Sequence, residues 1–312
     1  MPMGLDDATR AWERVFITGA SGFMGAALAE RYRAAGAEVR GVDLAPDPDA
    51  DAGVVGGDTT EPGAWVKHVE GCDLVVHTAA IITMEGDADR MWRVNVLGTR
   101  NALDAAAAAG AKRFVHVSSI VTFGFDYPDG VDEHWPVRTN GAPYVDTKVN
   151  AEQVVLQAHS AGEIPCTLVR PGDIYGPRST PWTVLPAAAA RAGLRILPPG
   201  MDGTINPVYI DNLLDGLILA AAEPAAAGQV ITLSEGYGMS VQDFFENYAR
   251  MAGNLGPERP AVELDAGTLG FLTKLGHYSI DKARRLLGYE PQVSFEEGMA
   301  RTEAWLRSNN LI

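Results

Sequence analysis

The stretch VFITGASGFMG, residues 15 to 25, constrains this chain more than any other. An apolar run passes through three glycines at three-residue spacing directly into an alanine-rich helical pattern. Glycines there permit a tight turn and let backbone N–H groups approach a diphosphate, and the helix N-terminus adds partial positive charge. The spacing departs from GxGxxG, and no Lys-Ser/Thr pair follows, which disfavours a nucleoside triphosphate loop. Gly19, Ser21, Gly22, Phe23, Met24 and Gly25 are therefore candidate cofactor-loop residues, a bare glycine turn being the alternative. Asp43 closes the next apolar run, 24 residues after Gly19, near the offset at which a carboxylate hydrogen-bonds an adenosine ribose. A carboxylate there repels a 2'-phosphate, and Leu44 and Ala45 offer no arginine to hold one, so the cofactor expected is NAD rather than NADP. An aspartate in a turn before Pro46 is the alternative. Asp58 and Thr59, in GGDTTEP, are weaker candidates for the adenine end; Asp58 serves equally as a helix N-cap.

Strand-like runs RVFIT (14–18), EVRGVD (38–43), DLVVHTA (73–79), RFVHVSS (113–119) and CTLVRP (166–171) alternate with helical patterns at 25–36, 91–110 and 144–162. Continuous Val, Ile and Leu suit strands covered on both faces, and the alternation predicts a Rossmann-type α/β fold with a doubly wound parallel sheet. The second half is less regular. Proline and glycine cluster at 173–182 and 197–207, before a helix expected at 211–222, a strand at 229–234, and a helix, turn and helix over 279–308 broken at Pro291. The division expected is a nucleotide-binding domain over 1–172, also receiving roughly 206–234, and a smaller α/β substrate-binding region from 173–205 and 235–312. The alanine runs at 105–109 and 187–190 read as close-packed helix faces.

With 312 residues, 46% of them hydrophobic, the chain can bury a substantial core. Its formal charge of −15 argues against nucleic acid or an anionic membrane as partner; a small-molecule substrate is expected. Cys72 and Cys166 both sit in apolar stretches, which argues against a disulfide framework and fits a reducing cytoplasm. The opening MPMGLDDATRAWERV lacks the apolar core of a signal peptide, and no apolar run is long enough to span a bilayer. The six histidines show no metal-ligand spacing, so no metal is expected.

Tyr144 and Lys148 in YVDTK are four residues apart, a spacing that by itself marks only a shared helix face. Together with TGASGFMG, HTAA (77–80), NVLGT (95–99), HVSSIVTFG (116–124) and RPGDIYGP (170–177), however, the segment resembles the extended short-chain dehydrogenase/reductase family over nearly the whole chain. The resemblance implies a catalytic serine, tyrosine and lysine. Tyr144 and Lys148 match two of them. The serine usually stands five residues before a glycine that here is Gly124, which selects Ser119 and leaves Ser118 nearer the cofactor. Hydride loss from an alcohol requires a base on its oxygen. A tyrosine of pKa near 10 needs roughly 4 kcal/mol of help to ionise near neutrality, about what one ammonium at ~4 Å supplies at an effective dielectric of ~20. Pro143 suits a first helical position, setting Tyr144 where the helix dipole also favours phenolate. The resemblance further implies that Lys148 holds the nicotinamide ribose, that Asn95 supports the helix and site waters, and that Ala79, Ala80, Pro171, Gly172 and Ile174 line the nicotinamide half of the cofactor, although packing would explain each equally. It also implies a homodimer in which the helices at 91–110 and 144–162 pair across the axis.

Within that family the sequence leans towards dehydrogenases and reductases of smaller or apolar substrates. A dehydratase needs an acid–base pair after its catalytic hydroxyl, whereas Ser119 is followed by IVTFG. Sugar-nucleotide enzymes commonly place an arginine to grip the diphosphate, and Ile205 and Asn206 stand there instead. Ile82, Met84, Val121, Thr122, Phe123 and Ile174 are mostly apolar candidates for the substrate wall, though equally suited to the core. INPVYIDNLLDGLILA and the tail KARRLLGYEPQVSFEEGM look most like the 3β-hydroxysteroid dehydrogenase branch. The reading is NAD-dependent interconversion of a secondary alcohol and a ketone on a steroid-like or other apolar substrate; a sugar-nucleotide epimerase is the alternative, and a non-catalytic nucleotide sensor a third.

Overall fold

The computed structural model describes residues 2–46, 52–256 and 258–312. Seven strands, β1 (Arg14–Thr18), β2 (Glu38–Asp43), β3 (Val54–Gly56), β4 (Leu74–His77), β5 (Arg113–Val117), β6 (Cys166–Pro171) and β10 (Val230–Leu233), form one parallel sheet in the order β10-β6-β5-β4-β1-β2-β3. Two short pairs lie apart from it. In one, β7 (Asp173–Tyr175) runs parallel to β9 (Pro207–Tyr209); in the other, β8 (Thr204–Ile205) runs antiparallel to β11 (Met239–Ser240).

Successive side chains of a strand point to opposite faces, so a strand covered on both sides must be apolar at every position. Phe16, Val75, Phe114 and Leu168 enter one core with Leu103 and Ala106 of the helix Gly98–Ala108 and Val155 and Ala158 of the helix Pro143–Ser160. Their neighbours Val15, Ile17, Val76, Val115 and Val169 enter the other with Leu28 of the helix Phe23–Ala34 and the nearly wholly buried helix Ile210–Ala222. The chain thus has the doubly wound α/β fold that the alternation of runs predicts.

Because all seven strands point the same way, the residues that follow them gather at one edge of the sheet. The strand order reverses between β1 and β4, opening a crevice there, and the segments after β1, β2, β4, β5 and β6 surround it. A short edge strand, β3, and the helices Leu5–Thr9, Val241–Met251 and Ala266–Leu272 are additions to the sequence reading. The alanines at 187–190 lie in the helix Leu185–Arg191. Among the described residues no helix is long and apolar enough to cross a membrane, and no cluster of His, Cys, Asp and Glu could hold a metal ion. Cys72 and Cys166 are both buried free thiols.

Candidate active site

The glycine turn is built for close approach. Gly19 adopts φ +68°, and a Cβ there would meet the Ala79 amide at 2.9 Å; a Cβ on Gly25 would lie 2.1 Å from the Gly19 carbonyl oxygen. Only glycine fits either position. Gly22 is the N-cap of the helix Phe23–Ala34, so the helix start faces the crevice. Asp43, at the end of β2, turns back on this loop: its Oδ2 accepts from the Ser21 amide at 3.1 Å and Oδ1 from that of Ala45 at 3.3 Å. Gly19, Gly22, Phe23, Met24, Gly25, Asp43, Asp58 and Thr59 line one end of a cleft of about 990 Å³. Asp58 also accepts from the Thr60 amide at 2.8 Å, so it supports the local turn as well as facing the cleft.

Further along the same cleft come Ala79 and Ala80 after β4, Ser118 and Ser119 after β5, and Pro171, Gly172 and Ile174 around the end of β6. Tyr144 and Lys148 join them from the helix Pro143–Ser160. Pro143 opens that helix, where its missing N–H is no loss, and Asp146 in the first turn accepts from the Asn140 and Gly141 amides at 2.9 and 3.2 Å. Tyr144, Lys148 and Glu152 follow at four-residue spacing, all buried on the face turned to the sheet. Ser119 caps the turn Ile120–Phe123: its Oγ accepts from the Val121 amide at 3.3 Å.

Burial dominates the electrostatics. It pushes the Tyr144 phenol up to about 12, with the nearby Ser119 side chain drawing it the other way. It brings the Lys148 ammonium down to about 8, opposed by the Glu152 carboxylate. Lys148 Nζ donates to the Val117 carbonyl at 2.9 Å. The protein alone therefore favours neutral Tyr144, against the expectation of an acidic phenol; desolvation outweighs the hydrogen bond from Ser119. His77 and His116 lie behind Lys148, and burial first, then the Lys148 charge, depresses both imidazoles.

Asn95 lies off the cleft, in a π-helical segment Arg93–Leu97 that joins the helices Ala88–Trp92 and Gly98–Ala108. Its side chain accepts from the Ile81 amide at 2.8 Å and donates to the Ile81 carbonyl at 3.1 Å and Thr147 Oγ1 at 3.0 Å. It thereby ties the loop after β4 to the helix bearing Tyr144 and Lys148. Ile82, Met84 and Val121 line the cleft, but Thr122 and Phe123, also expected on the substrate wall, do not. Both are fully buried: Thr122 donates to the Ser119 carbonyl at 2.9 Å, and Phe123 stacks on Tyr278. The turn after Ser119 rolls them into the core, which corrects that expectation. The far wall is formed instead by Trp182, Phe245, Leu264, Phe271 and Leu272. Sequence reading missed these five. The proline-rich run around Trp182 and the Ser240 cap of the helix that carries Phe245 are the signals that could have found two of them.

The chain is 33% identical to a 3-beta-hydroxysteroid dehydrogenase of Mycolicibacterium neoaurum, a match covering 92% of this chain and 89% of the relative. It is 30% identical to a 2-alkyl-3-oxoalkanoate reductase of Stenotrophomonas maltophilia, covering 93% and 98%. Among solved structures, an epimerase from Methanothermobacter thermautotrophicus superposes with a TM-score of 0.86 at 28% identity, covering 98% of this chain and 96% of the other. The model of the NAD dependent epimerase/dehydratase family matches residues 15–233, from the strand that carries the glycine turn to the strand at the opposite edge of the sheet, and the chain belongs to that family.

Proposed function

We propose that the chain is an NAD-dependent oxidoreductase that interconverts a secondary alcohol and a ketone on an apolar, steroid-like substrate. The observation that carries this reading is the cleft itself. One end has the glycine turn and Asp43, the middle has Ser119, Tyr144 and Lys148, and the rest of the wall is mainly apolar, with Met84, Trp182, Phe245, Leu264, Phe271 and Leu272 beside a few polar groups such as Arg90, Thr180 and Glu263. A site of that composition suits an apolar body with one polar group at its reacting end.

NAD, the cofactor of the family, would supply the hydride acceptor and a positive charge when bound. Tyr144 takes the hydroxyl proton of the alcohol, Ser119 hydrogen-bonds the same oxygen, and Lys148 provides a cation behind the tyrosine and a donor for the nicotinamide ribose. Burial disfavours the phenolate, so Tyr144 would act as a base where added positive charge lowers the pKa of its phenol. The protonated phenol returns a proton to the ketone in the reverse direction.

An epimerase would use the same groups without net redox change, and the solved epimerase structure keeps that reading in view. Against it, Ile205 and Asn206, where a diphosphate-gripping arginine would stand, are fully buried, and Asn206 is engaged by Gly276 and Tyr278. The decisive assay incubates purified protein and NAD with a 3β-hydroxysteroid, following NADH absorbance, and in parallel with UDP-glucose, following UDP-galactose. NADH formation that Tyr144→Phe reduces at least about 1,000-fold is expected. UDP-galactose formation without NADH would replace the proposal, and NAD binding with no turnover of either would favour a sensor.

A further inference from the structure

Behind the cleft, Glu152 and Arg170 form a buried ion pair, 1% and 3% exposed. Arg170 Nε donates to Glu152 Oε1 at 2.8 Å and Nη2 to Oε2 at 2.6 Å. Two charges withdrawn from water rarely add net stability over apolar residues of the same size, which raises the question of what else the pair does. Its surroundings answer. Glu152 Oε1 also accepts from the Ser118 hydroxyl at 2.6 Å. On its other side the Arg170 guanidinium lies 4.6 Å from the centre of the Phe123 ring. Ser118 precedes Ser119 and Phe123 ends the turn that Ser119 caps, so one ion pair grips the segment on both sides of Ser119. Glu152 is also one helical turn beyond Lys148 on the same buried face.

We propose that Glu152 and Arg170 are the positioning residues of this site: the pair fixes the Ser119 turn through Ser118 and Phe123, and the Glu152 carboxylate keeps Lys148 cationic. The proposal rests on Ser119, Tyr144 and Lys148 being the working groups. The polar surroundings of Lys148 make the carboxylate necessary. Lys148 donates to the Val117 carbonyl on β5; His77 on β4 and His116 on β5 face it; Tyr144 and Glu152 flank it on its own helix. Both imidazoles are held neutral, and burial also disfavours ionised Tyr144. Glu152 is the charge in this set that opposes loss of the Lys148 proton.

The test uses Glu152→Gln, Ser118→Ala and the apolar double variant Glu152→Leu/Arg170→Met. NAD affinity is measured by calorimetry from neutral to alkaline pH, and kcat and KM are measured for NADH formation with a 3β-hydroxysteroid. Glu152→Gln is expected to move the alkaline loss of NAD affinity, and of kcat, about one pH unit or more downward. Ser118→Ala, which leaves the ion pair in place, is expected to lower kcat about tenfold while KM changes less than about twofold. The double variant removes both charges without leaving one unpaired, and a downward shift smaller than that of Glu152→Gln is expected of it, because the opposing Arg170 cation goes too; it is read whether or not Glu152→Gln folds. Alkaline limbs that coincide with the parent protein's, with kcat for Ser118→Ala within about twofold, would show the pair to be packing and overturn the proposal. If the parent protein binds NAD but leaves the steroid unchanged, the substrate reading fails while the calorimetric limbs still decide this one.

Discussion

Lys148 is 4% exposed, and burial lowers its ammonium from the ordinary value of 10.5 to about 8. In the unfolded chain the same group keeps its proton to a higher pH, so between those two values the unfolded state binds more protons and stability rises with pH. Below about 8 the folded protein bears the full cost of a desolvated cation, of order 3 kcal/mol. Lys148→Met is therefore expected to raise the melting temperature at neutral pH by a few degrees, to flatten the rise in stability on the alkaline side, and to abolish turnover. Scanning calorimetry at neutral and alkaline pH checks this, and an unchanged or lower neutral melting temperature contradicts it. Asp43 carries a second prediction. Its carboxylate turns onto the Ser21 amide, and the neighbouring Leu44 is 68% exposed at the cleft edge. Asp43→Ser combined with Leu44→Arg removes the negative charge and offers a guanidinium, so NADP affinity is expected to rise, and NAD affinity to fall, each about tenfold or more by calorimetry.

At the scale of elements, the π-helical segment Arg93–Leu97 holds the loop after β4 against the helix Pro143–Ser160 through one side chain. Asn95 satisfies both the N–H and the C=O of Ile81 and also reaches Thr147 Oγ1. Asn95→Ala removes three hydrogen bonds, two of them to the half-buried Ile81 backbone, at a cost of about 1 to 2 kcal/mol, and should lower the denaturant midpoint accordingly; kcat should fall as well, because the freed loop includes the cleft residue Ile82. The segment also shows where sequence legibility ends. The chain signals a helix over 91–110, and a helix forms, but an extra residue per turn at 93–97 is a tertiary adjustment that no periodicity announces. Strands fared better, since an unbroken apolar run such as Phe114–Val115 is what two-faced burial demands. β3, at three residues, is too short to stand out. The helix Val241–Met251 was legible and went unread: Ser240 caps it by accepting from the Asp243 amide at 3.2 Å, and Val241, Phe244, Tyr248 and Ala249 are its buried face. At the site, the four-residue spacing tells only that Tyr144 and Lys148 share a helix face; the surrounding motifs single the pair out, and one helix does bring both to the cleft. Sequence position fails for Thr122 and Phe123, because a tight turn puts Ile120 and Val121 on the cleft and rolls the next two residues into the core.

For the whole molecule, the resemblance leads to the proposal of a homodimer paired through the helices that carry Lys148 and Asn95, and the surface gives that proposal a specific form. The helix Pro143–Ser160 packs against Gly98–Ala108 and the segment before it within one chain. Leu97, on that preceding segment, and Trp92, at the end of the helix Ala88–Trp92, are nevertheless 43% and 47% exposed. Large apolar side chains left this open beside two adjacent helices are what a partner copy would cover. With a net charge of −15, two copies repel at long range, so association has to come from apolar burial and should strengthen as salt screens the charge. Light scattering is expected to report a dimer in moderate salt. Trp92→Glu combined with Leu97→Glu is expected to give a monomer that retains NAD binding, because neither residue lines the cleft. A monomer at all salt concentrations, or a dimer indifferent to both substitutions, would direct the search for a partner surface elsewhere. Loss of turnover on dissociation, with NAD affinity intact, would mean that contact across the axis keeps Tyr144 and Lys148 in register with Ser119.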